Sequence, residues 1–377
     1  MLRRSARAAS SLGCPAVAAA LLVFAAGCDD AGGEAHAAPA VVKPSAEAVP
    51  ASAPAVAPVV ASAAPEASAA PAGATVIRVS AVGDCTLGSN WDSPRAPGSF
   101  HREMEARGND WRYPFSGVRD LLADDDLTIA NLETTLTREP TRQNAPFAFR
   151  GEPEFARILA EGSVELVNVA NNHSNDAGPH GYAETLDAVR SVGVTPFGNG
   201  IVDVRTVKGI EIVNLGYLGG PEGTREKVMR DVARYKRADN LVFVSFHWGI
   251  EGSHEVNGDQ LRVGRGAVDA GADLVIGTHP HVLQAIEDYK GKRILYSLGN
   301  FVFGGHSQPD TLDSMIYRER FTVEGGRVVE RAYEIVPVAI SSVRDHNDFR
   351  PVVLSGVERD RVLADVASYR RFVPPPR

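Results

Sequence analysis

The sequence predicts an α/β fold with two packed sheets and a late antiparallel hairpin. From residue 76 to residue 303, short apolar runs rich in β-branched residues alternate with segments of helical spacing. The rhythm then changes, because Met315–Val323 and Val328–Ile340 flank the turn sequence Glu324-Gly325-Gly326, which is typical of a hairpin. Alternating strands and helices followed by an antiparallel ribbon favour one α/β domain without internal repeats.

The individual elements follow from local hydrophobic patterns. Strands are predicted where apolar residues run continuously, as in fully buried strands: Val76–Val82, Leu127–Ala130, Val164–Val169, Glu211–Leu218, Leu241–Phe246, Leu274–Ile276 and Arg293–Phe303. Helices are predicted where apolar residues recur every three or four positions: around 118–122, 155–159, 180–192, 228–235 and 258–270, and near the C-terminus at 360–372. Gly193 is suited to end the helix over 180–192, since glycine tolerates the left-handed conformation of a helix C-terminus.

Residues 1–28 have the pattern of a bacterial lipoprotein signal peptide. A basic start is followed by an apolar core, Pro15–Phe24, which is too short to span a membrane. The core is followed by Ala25-Ala26-Gly27-Cys28, which resembles a lipoprotein cleavage box and predicts lipidation of Cys28. The alternative is a plain signal peptide with a chance cysteine. The expected location is therefore the cell envelope, on its periplasmic or outer face, with the lipid as a membrane anchor.

The rest of the chain divides by composition. Residues 29–75 are almost wholly Ala, Pro, Val, Ser and Gly, which predicts a disordered tether that cannot bury a core. Residues 76–345 form the predicted folded domain, and 346–377 form a C-terminal helix and tail. The net charge of −8, with no basic stripe, argues against a nucleic-acid partner.

Polar residues stand at successive strand ends, where loops of an α/β sheet converge on one crevice. They are Asp84, Asn131, Glu133, Asn172, His173, His247, His279 and His281. Carboxylates and imidazoles together are the ligands of divalent Zn, Mn or Fe, so the set predicts a metal site. Each residue alone has an ordinary alternative role, as a turn former, a helix cap, a surface charge or a satisfied buried histidine. The remaining histidines, His101 among them, lie in loops or at helix starts, where a solvated side chain is expected.

Several motifs resemble the CapA (poly-γ-glutamate capsule biosynthesis) family, in the expected order from about Val76 to Phe303. They are Gly83-Asp84, Asn131-Leu132-Glu133, Ala170-Asn171-Asn172-His173, His247-Trp248-Gly249, Gly271-Ala272-Asp273, Gly277-Thr278-His279-Pro280-His281 and Tyr296-Ser297-Leu298-Gly299-Asn300-Phe301. That family is similar to the calcineurin-like metallophosphoesterases. The resemblance implies a four-layer α/β/β/α sandwich with a two-metal centre.

The resemblance also implies roles for single residues. The implied metal ligands are Asp84, Glu133, Asn172, His247, His279 and His281, with Glu133, or less readily Asn131, as the bridging carboxylate position. His173, together with Asn172, is the implied catalytic pair, in which His173 protonates or steadies the substrate oxyanion. Asn131, Asn171, Asp176 and Asn300 are candidate supporting residues. Thr86 stands where the phosphoesterases have a ligating histidine, so the cofactor is expected to be one or two divalent metal ions.

The expected function is a metal-dependent hydrolase or transferase acting on a capsule-type anionic polymer, poly-γ-glutamate, or on a phosphorylated precursor. The alternative is a non-catalytic subunit that binds the polymer during synthesis or export, because a fold does not fix a function. Expected partners are the membrane, the polymer and components of a capsule synthase.

Overall fold

The computed structural model describes residues 73–143, 147–220 and 223–376. The predicted signal peptide, most of the predicted tether and Cys28 lie outside these residues. Within the described ranges, no helix combines the length and the apolar character that crossing a membrane requires.

The described residues form seventeen strands and seven α-helices. In chain order the strands are β1 (Thr75–Thr86), β2 (Ser89–Asn90), β3 (Leu127–Leu132), β4 (Thr135–Leu136), β5 (Phe149–Gly151), β6 (Leu166–Asn168), β7 (Thr195–Phe197), β8 (Asp203–Val207), β9 (Ile210–Leu218), β10 (Asn240–His247), β11 (Leu274–Thr278), β12 (Ile286–Tyr289), β13 (Lys292–Leu295), β14 (Asn300–Phe303), β15 (Asp313–Glu324), β16 (Arg327–Ala339) and β17 (Val352–Val353). The helices are α1 (Phe100–Ala106), α2 (Arg119–Leu122), α3 (Ala156–Glu161), α4 (Gly178–Ser191), α5 (Arg225–Tyr235), α6 (Gly258–Asp269) and α7 (Gly356–Ser368).

Two large sheets form the framework. The first has eight strands in the order β17-β16-β15-β1-β3-β6-β7, with β14 also paired to β1. The second has six strands in the order β12-β13-β11-β10-β9-β8. In both sheets the central strands run parallel, β1-β3-β6-β7 in the first and β9-β10-β11-β13 in the second. A small third sheet, β2-β5-β4, lies beside them.

Three hydrophobic clusters define four layers. The middle cluster joins side chains of both sheets, for example Phe243 of β10 and Phe321 of β15, whose ring centres lie 5.5 Å apart. The other two clusters lie on the outer faces, where α1–α4 cover the first sheet and α5 and α6 cover the second. The layer order is therefore α/β/β/α, and the predicted fold is confirmed. Continuous apolar runs became central strands because both of their faces are buried.

The late hairpin is also present, formed by β15 and β16 paired from Asp313↔Ala339 to Glu324↔Arg327. The C-terminal helix is α7, extended by a 3-10 turn over Tyr369–Phe372. Its Val362 and Val366 belong to the core between the sheets.

The predicted single strand Arg293–Phe303 is wrong. β13 belongs to the second sheet and β14 to the first, so the chain crosses between the sheets at Ser297-Leu298-Gly299. Gly299 has a φ of +70°, and its carbonyl oxygen accepts a 3.0 Å hydrogen bond from the Asp84 amide. The crossing places Asn300 beside Asp84 in the β1–β14 pairing. An apolar run alone could not reveal it, because both halves are equally buried.

The expectation that His101 is solvated is also wrong. His101 is 5% exposed, in α1, with its Nδ1 2.8 Å from Ser89 Oγ and its ring against Phe155. The hydrogen bond to Ser89 satisfies the imidazole, which lets it enter the core without a charge.

Candidate metal centre

The candidate centre lies at the carboxyl ends of parallel strands from both sheets. Asp84 lies near the end of β1, Glu133 directly follows β3, and His247 is the last residue of β10. His279 directly follows β11, and Asn172 lies in the loop after β6. Converging strand ends in the two packed sheets explain why ligand-type residues so far apart in sequence meet.

Glu133 is at the middle of the cluster. Its side chain is fully buried, and neither carboxylate oxygen accepts a hydrogen bond. Oε1 lies 3.2 Å from His247 Nε2 and 3.7 Å from His281 Nε2. Ligand atoms of Glu133, His279 and His281 all lie within 4.8 Å of one another, and His279 Nδ1 likewise has no hydrogen-bond partner. Burying a carboxylate without partners is costly, so this arrangement fits a bound divalent cation.

Asp84 is tied to the same cluster from the other side. Its Oδ1 accepts a 2.8 Å hydrogen bond from the Asn131 amide, and its Oδ2 accepts a 3.2 Å bond from the backbone N–H of His279. Oδ2 also lies 3.4 Å from His281 Nδ1. Asp84 therefore bridges the loop that carries both histidines and the strand end of β1.

The histidine loop has an unusual backbone. His279 has a φ of +96° and His281 a φ of +59°, in the left-handed region that residues with a side chain rarely adopt. His281 Nδ1 lies 2.8 Å from Asn300 Oδ1, and the Asn300 amide donates to the carbonyl of His281 at 3.3 Å. Such strain persists only where surrounding contacts impose it, and it clusters at functional sites.

Asn172 and His247 meet above Glu133. Asn172 Oδ1 lies 2.7 Å from His247 Nε2, although the two residues come from different sheets. The structure thus brings all six predicted ligands into one connected cluster, namely Asp84, Glu133, Asn172, His247, His279 and His281.

The pKa values of the three histidines in the cluster are shifted in different directions. Burial lowers the pKa of His247 to about 3 and that of His279 to about 4, so both are neutral and able to ligate. Burial also opposes the charge on His281, but the carboxylates of Glu133 and Asp84 outweigh it and raise the pKa to about 10.

The two carboxyl groups are shifted in opposite directions. Burial and the neighbouring charge of Asp84 raise the pKa of Glu133 to about 8. Burial acts the same way on Asp84, but its hydrogen bond to His281 and the charge of that ring hold its pKa below the usual range. Without metal, protons are therefore held within the Glu133–His281 pair, whose two titrations depend on each other.

His173 lies beside the cluster in a dyad with Asp176. Its Nδ1 is 2.8 Å from Asp176 Oδ2, which also accepts a 2.7 Å hydrogen bond from the backbone N–H of Phe149. The Phe149 ring packs on the imidazole, with ring centres 4.5 Å apart. Burial lowers the pKa of His173, but the bond to Asp176 and the charge of Glu133 outweigh it and raise the pKa above its usual value. The contact with Asp176 therefore favours the protonated form of His173.

The supporting residues act through hydrogen bonds. Asn131 orients Asp84 through the bond described above, and its Nδ2 also lies 3.1 Å from His247 Nδ1. Asn171 accepts a 3.1 Å bond from the His173 N–H and donates to the Leu132 carbonyl at 2.8 Å, which shapes the loop. Thr86 is fully buried, and its Oγ1 has no hydrogen-bond partner.

Two further residues, which the sequence motifs did not indicate, position the ligands. Asn168, inside β6, donates to Asn131 Oδ1 at 3.0 Å, and Thr278 Oγ1 lies 3.2 Å from His247 Nδ1. An asparagine within the apolar run Val164–Val169 was the available signal for the first, because a buried amide requires a partner. Thr278 gave no comparable signal, since threonine is common in strands.

A pocket of about 280 Å³ borders the centre. His247 and His279 form part of its wall, together with Trp248, Asn257 and Gln260. The Trp248 indole donates to the Tyr296 carbonyl at 2.9 Å, and Asn257 and Gln260 cap the start of α6 reciprocally. Hydrogen bonds between its own residues thus hold the wall of this pocket in place.

Proteins similar to this chain come from several bacteria. PGA biosynthesis protein CapA of Bacillus subtilis is 28% identical over 290 residues, which cover 70% of this chain and 72% of that protein. Capsule biosynthesis protein CapA of Bacillus anthracis is 28% identical over 269 residues, which cover 62% of this chain and 65% of that protein. A probable polyglutamine synthesis accessory protein of Mycobacterium tuberculosis is 26% identical over 276 residues, which cover 62% of this chain and 72% of that protein.

Solved structures similar to this chain are more distant. A hypothetical protein from Thermus thermophilus is 20% identical with a TM-score of 0.42, and the match covers 69% of this chain and 99% of that one. The protein TT1561 of the same organism is 12% identical with a TM-score of 0.36, covering 64% of this chain and 94% of that one.

The family model "Bacterial capsule synthesis protein PGA_cap" matches residues 78–305, a range that contains all six candidate ligands and His173. Since that range is more than half of the chain, this protein belongs to the PGA_cap family of bacterial capsule synthesis proteins.

Proposed function

We propose that this protein is a metal-dependent hydrolase or transferase of the cell envelope that acts during capsule synthesis. Its substrate would be an anionic polymer of the poly-γ-glutamate type or a phosphorylated precursor of it. Membership of the PGA_cap family supports the pathway, as do relatives whose names refer to capsule and PGA biosynthesis. Components of a capsule synthase would then be its protein partners.

The main support for metal-dependent catalysis is the environment of Glu133. The Glu133 carboxyl group is fully buried without a hydrogen-bond donor, next to the nitrogens of His247 and His281, and a divalent cation would stabilise its charged form there. Asp84, Glu133, Asn172, His247, His279 and His281 would hold one or two divalent ions, and Zn, Mn and Fe all suit this donor set. Such an ion lowers the pKa of a coordinated water molecule and polarises a phosphoryl or carbonyl oxygen.

The protein's own residues would supply the remaining chemistry. Asp176 favours the protonated form of His173, whose Nε2 would donate a proton to the leaving group or to a developing oxyanion. Phe149 keeps the ring from turning by packing against it and by holding Asp176 through its backbone N–H. Asn131 fixes the side chains of Asp84 and His247 in relation to each other.

We further propose that Cys28 is lipidated and anchors the protein to a membrane. The support is the order of a basic start, a short apolar core and Ala25-Ala26-Gly27-Cys28 in the sequence. The Ala/Pro-rich stretch that follows would allow the domain to work away from the bilayer surface.

Metal content of the purified protein tests the catalytic proposal. We expect near-stoichiometric Zn, Mn or Fe in the wild type and a large loss in the His279→Ala and Asp84→Ala variants. His306→Ala is the matched control, since His306 is exposed and lies outside the cluster. Chelation should abolish turnover of phosphoesters or γ-glutamyl peptides, and restored metal should recover it. A folded wild type that stays empty after metal is added would overturn the proposal.

A second function is a non-catalytic subunit that binds the polymer. The name of the M. tuberculosis relative, a synthesis accessory protein, favours it. This alternative predicts polymer binding that survives both chelation and a His173→Ala substitution, with no turnover under any metal. The hydrolase predicts turnover that both treatments suppress.

A further inference from the structure

We propose that a second pocket next to the metal centre binds a carboxylate-bearing amide unit of the substrate chain, with Lys227 contacting the carboxylate. This amide-lined pocket has a volume of about 670 Å³ and is lined by Asn171, Asn175, Tyr182, Asn199, Tyr217 and Lys227. The inference rests on the proposed function and assigns a binding subsite to the substrate proposed there.

The amide-lined pocket lies next to the site already described. Leu218 belongs to its wall and also to the wall of the smaller pocket that contains His247 and His279. In the β9–β10 pairing, Leu218 is directly opposite His247. A chain with one unit in the amide-lined pocket would therefore pass the metal centre with its neighbouring unit.

The loop of the catalytic pair forms another part of the wall. Asn171 precedes Asn172 and accepts the 3.1 Å hydrogen bond from the backbone N–H of His173. A substrate unit bound in the pocket would thus lie next to His173, the proposed proton donor. A unit held there would place the bond that links it to the next unit within the range of His173.

The lining has the chemistry of an amide-binding surface. The side-chain amides of Asn175 and Asn199 and the phenol of Tyr182 offer donors and acceptors that match the N–H and C=O groups of an amide linkage. The Asn171 amide is instead bonded to backbone groups of the protein, and the Tyr217 hydroxyl donates to Asp231. Lys227 supplies a positive charge, and no carboxylate occurs among the described residues of the lining. The combination selects a substrate that carries both amide groups and negative charge.

Lys227 lies at the pocket wall and keeps hydrogen-bond donors that its protein contacts do not use. Its Nζ lies 4.5 Å from the centre of the Tyr217 ring and 3.6 Å from Asp231 Oδ2, and the side chain is 42% exposed. Asp231 already accepts a 3.1 Å hydrogen bond from the Tyr217 hydroxyl. The long ion pair leaves N–H donors of Lys227 for a substrate carboxylate, since an ammonium group has three.

The same geometry disfavours a neutral sugar. Sugars commonly stack on an open aromatic face, but the Lys227 ammonium already covers the ring of Tyr217. A free phosphate ion would satisfy the positive charge, but it is too small to contact Lys227 together with the amides of Asn175 and Asn199 around a cavity of about 670 Å³.

Calorimetric titration of the chelated protein tests the assignment, because binding is then measured without turnover. The probes are a short γ-linked glutamate oligomer, an α-linked glutamate oligomer of equal length, a neutral oligosaccharide and inorganic phosphate. The variants are Lys227→Met and Asn175→Ala. Arg230→Met is the matched control, because Arg230 lies on the same helix, is 70% exposed and does not line the pocket.

We expect the glutamate oligomers to bind the wild type and Lys227→Met to weaken binding by roughly tenfold to a hundredfold, the effect of losing a charge-assisted hydrogen bond. Asn175→Ala should weaken it by a smaller factor, and Arg230→Met by less than about twofold. Equal losses in Lys227→Met and Arg230→Met would overturn the proposal, as would preferential binding of the oligosaccharide or of phosphate, or no binding at all.

Metal content and turnover of the same variants separate this proposal from the proposed function. If Lys227→Met binds oligomer like the wild type but the metal centre is loaded and active, the pocket assignment fails and the hydrolase stands. If oligomer binding depends on Lys227 but the loaded protein has no turnover, the hydrolase fails and the pocket assignment stands.

Discussion

The side-chain amide of Asn168 donates a 3.0 Å hydrogen bond to Oδ1 of Asn131, and this contact sets the orientation of the metal centre. Asn168 Oδ1 accepts from the backbone N–H of Ala170, which fixes its amide group. Asn131 must therefore accept through oxygen and direct its N–H groups toward Asp84 and His247. The backbone amide of Ala170, just after β6, thus helps to orient side chains of both sheets.

We expect Asn168→Ala to weaken metal binding by about tenfold to a hundredfold, because Asn131 would lose the contact that orients two ligands. It should also lower the free energy of unfolding by about 1–3 kcal/mol, since a buried acceptor loses its donor. Metal titration and denaturant unfolding measure the two effects. Asn214→Ala is the control, because Asn214 is a buried amide that bonds to Asp203 away from the centre. Asn214→Ala should lower stability but leave metal affinity unchanged. An equal loss of metal affinity in this variant would contradict the role of Asn168 in orienting Asn131.

Metal binding should release about one to two protons near pH 7, because ligands must be deprotonated. The raised pKa values of His281, about 10, and Glu133, about 8, place protons on these groups in the metal-free protein. Metal affinity should therefore increase as the pH rises from 6 to 8. Calorimetry in buffers of different ionisation enthalpy gives the proton count. An affinity independent of pH in this range would contradict the assignment of His281 and Glu133 as ligands.

His173→Gln should reduce turnover by about a hundredfold or more at unchanged metal content, as expected for loss of a general acid. Asp176→Asn should act differently, because it removes the partner that raises the pKa of His173. The proton is then lost at lower pH, so the alkaline limb of the rate profile should move to lower pH. A pH profile of kcat/KM checks this. An unshifted limb in Asp176→Asn would show that another group is the acid.

His101 should make the fold sensitive to acid. Burial lowers the pKa of His101 to about 4. Between pH 6.5 and 4, this histidine is therefore protonated in the unfolded chain but neutral in the folded protein. Its contribution is fully present above pH 6.5 and is lost as the pH falls toward 4, by up to about 3 kcal/mol. The loss of unfolding free energy between pH 7.5 and 5 should be smaller in His101→Gln. His346→Gln is the control, since that histidine is exposed, and its pH dependence should match the wild type.

Cys28→Ser should release the protein from the membrane fraction of cells that process lipoproteins. A lipid-modified N-terminus would appear in the wild type as an added acyl mass, which mass spectrometry detects. Release of the wild type and the variant to the same extent would favour the plain signal peptide.

Much of the fold could be predicted from sequence because hydrophobic periodicity is a local property. The strands before Asp84, Asn172 and His247 are apolar runs, and their polar ends mark the edge where loops converge. The crossing at Gly299 could not be predicted, since the residues on either side are buried against different sheets but have the same apolar character.

The sequence by itself determined the family, the layer architecture and the kinds of side chain at the strand ends. Only the tertiary structure decided which of those groups are partnered and which are left without a donor. Asn131 and Asp84 are 47 positions apart in the chain and are hydrogen-bonded to each other. The carboxylate of Glu133, in the same cluster, accepts no hydrogen bond. Hydrogen bonding, desolvation and pKa depend on distances between residues remote in the chain, and these distances exist only once the two sheets are packed.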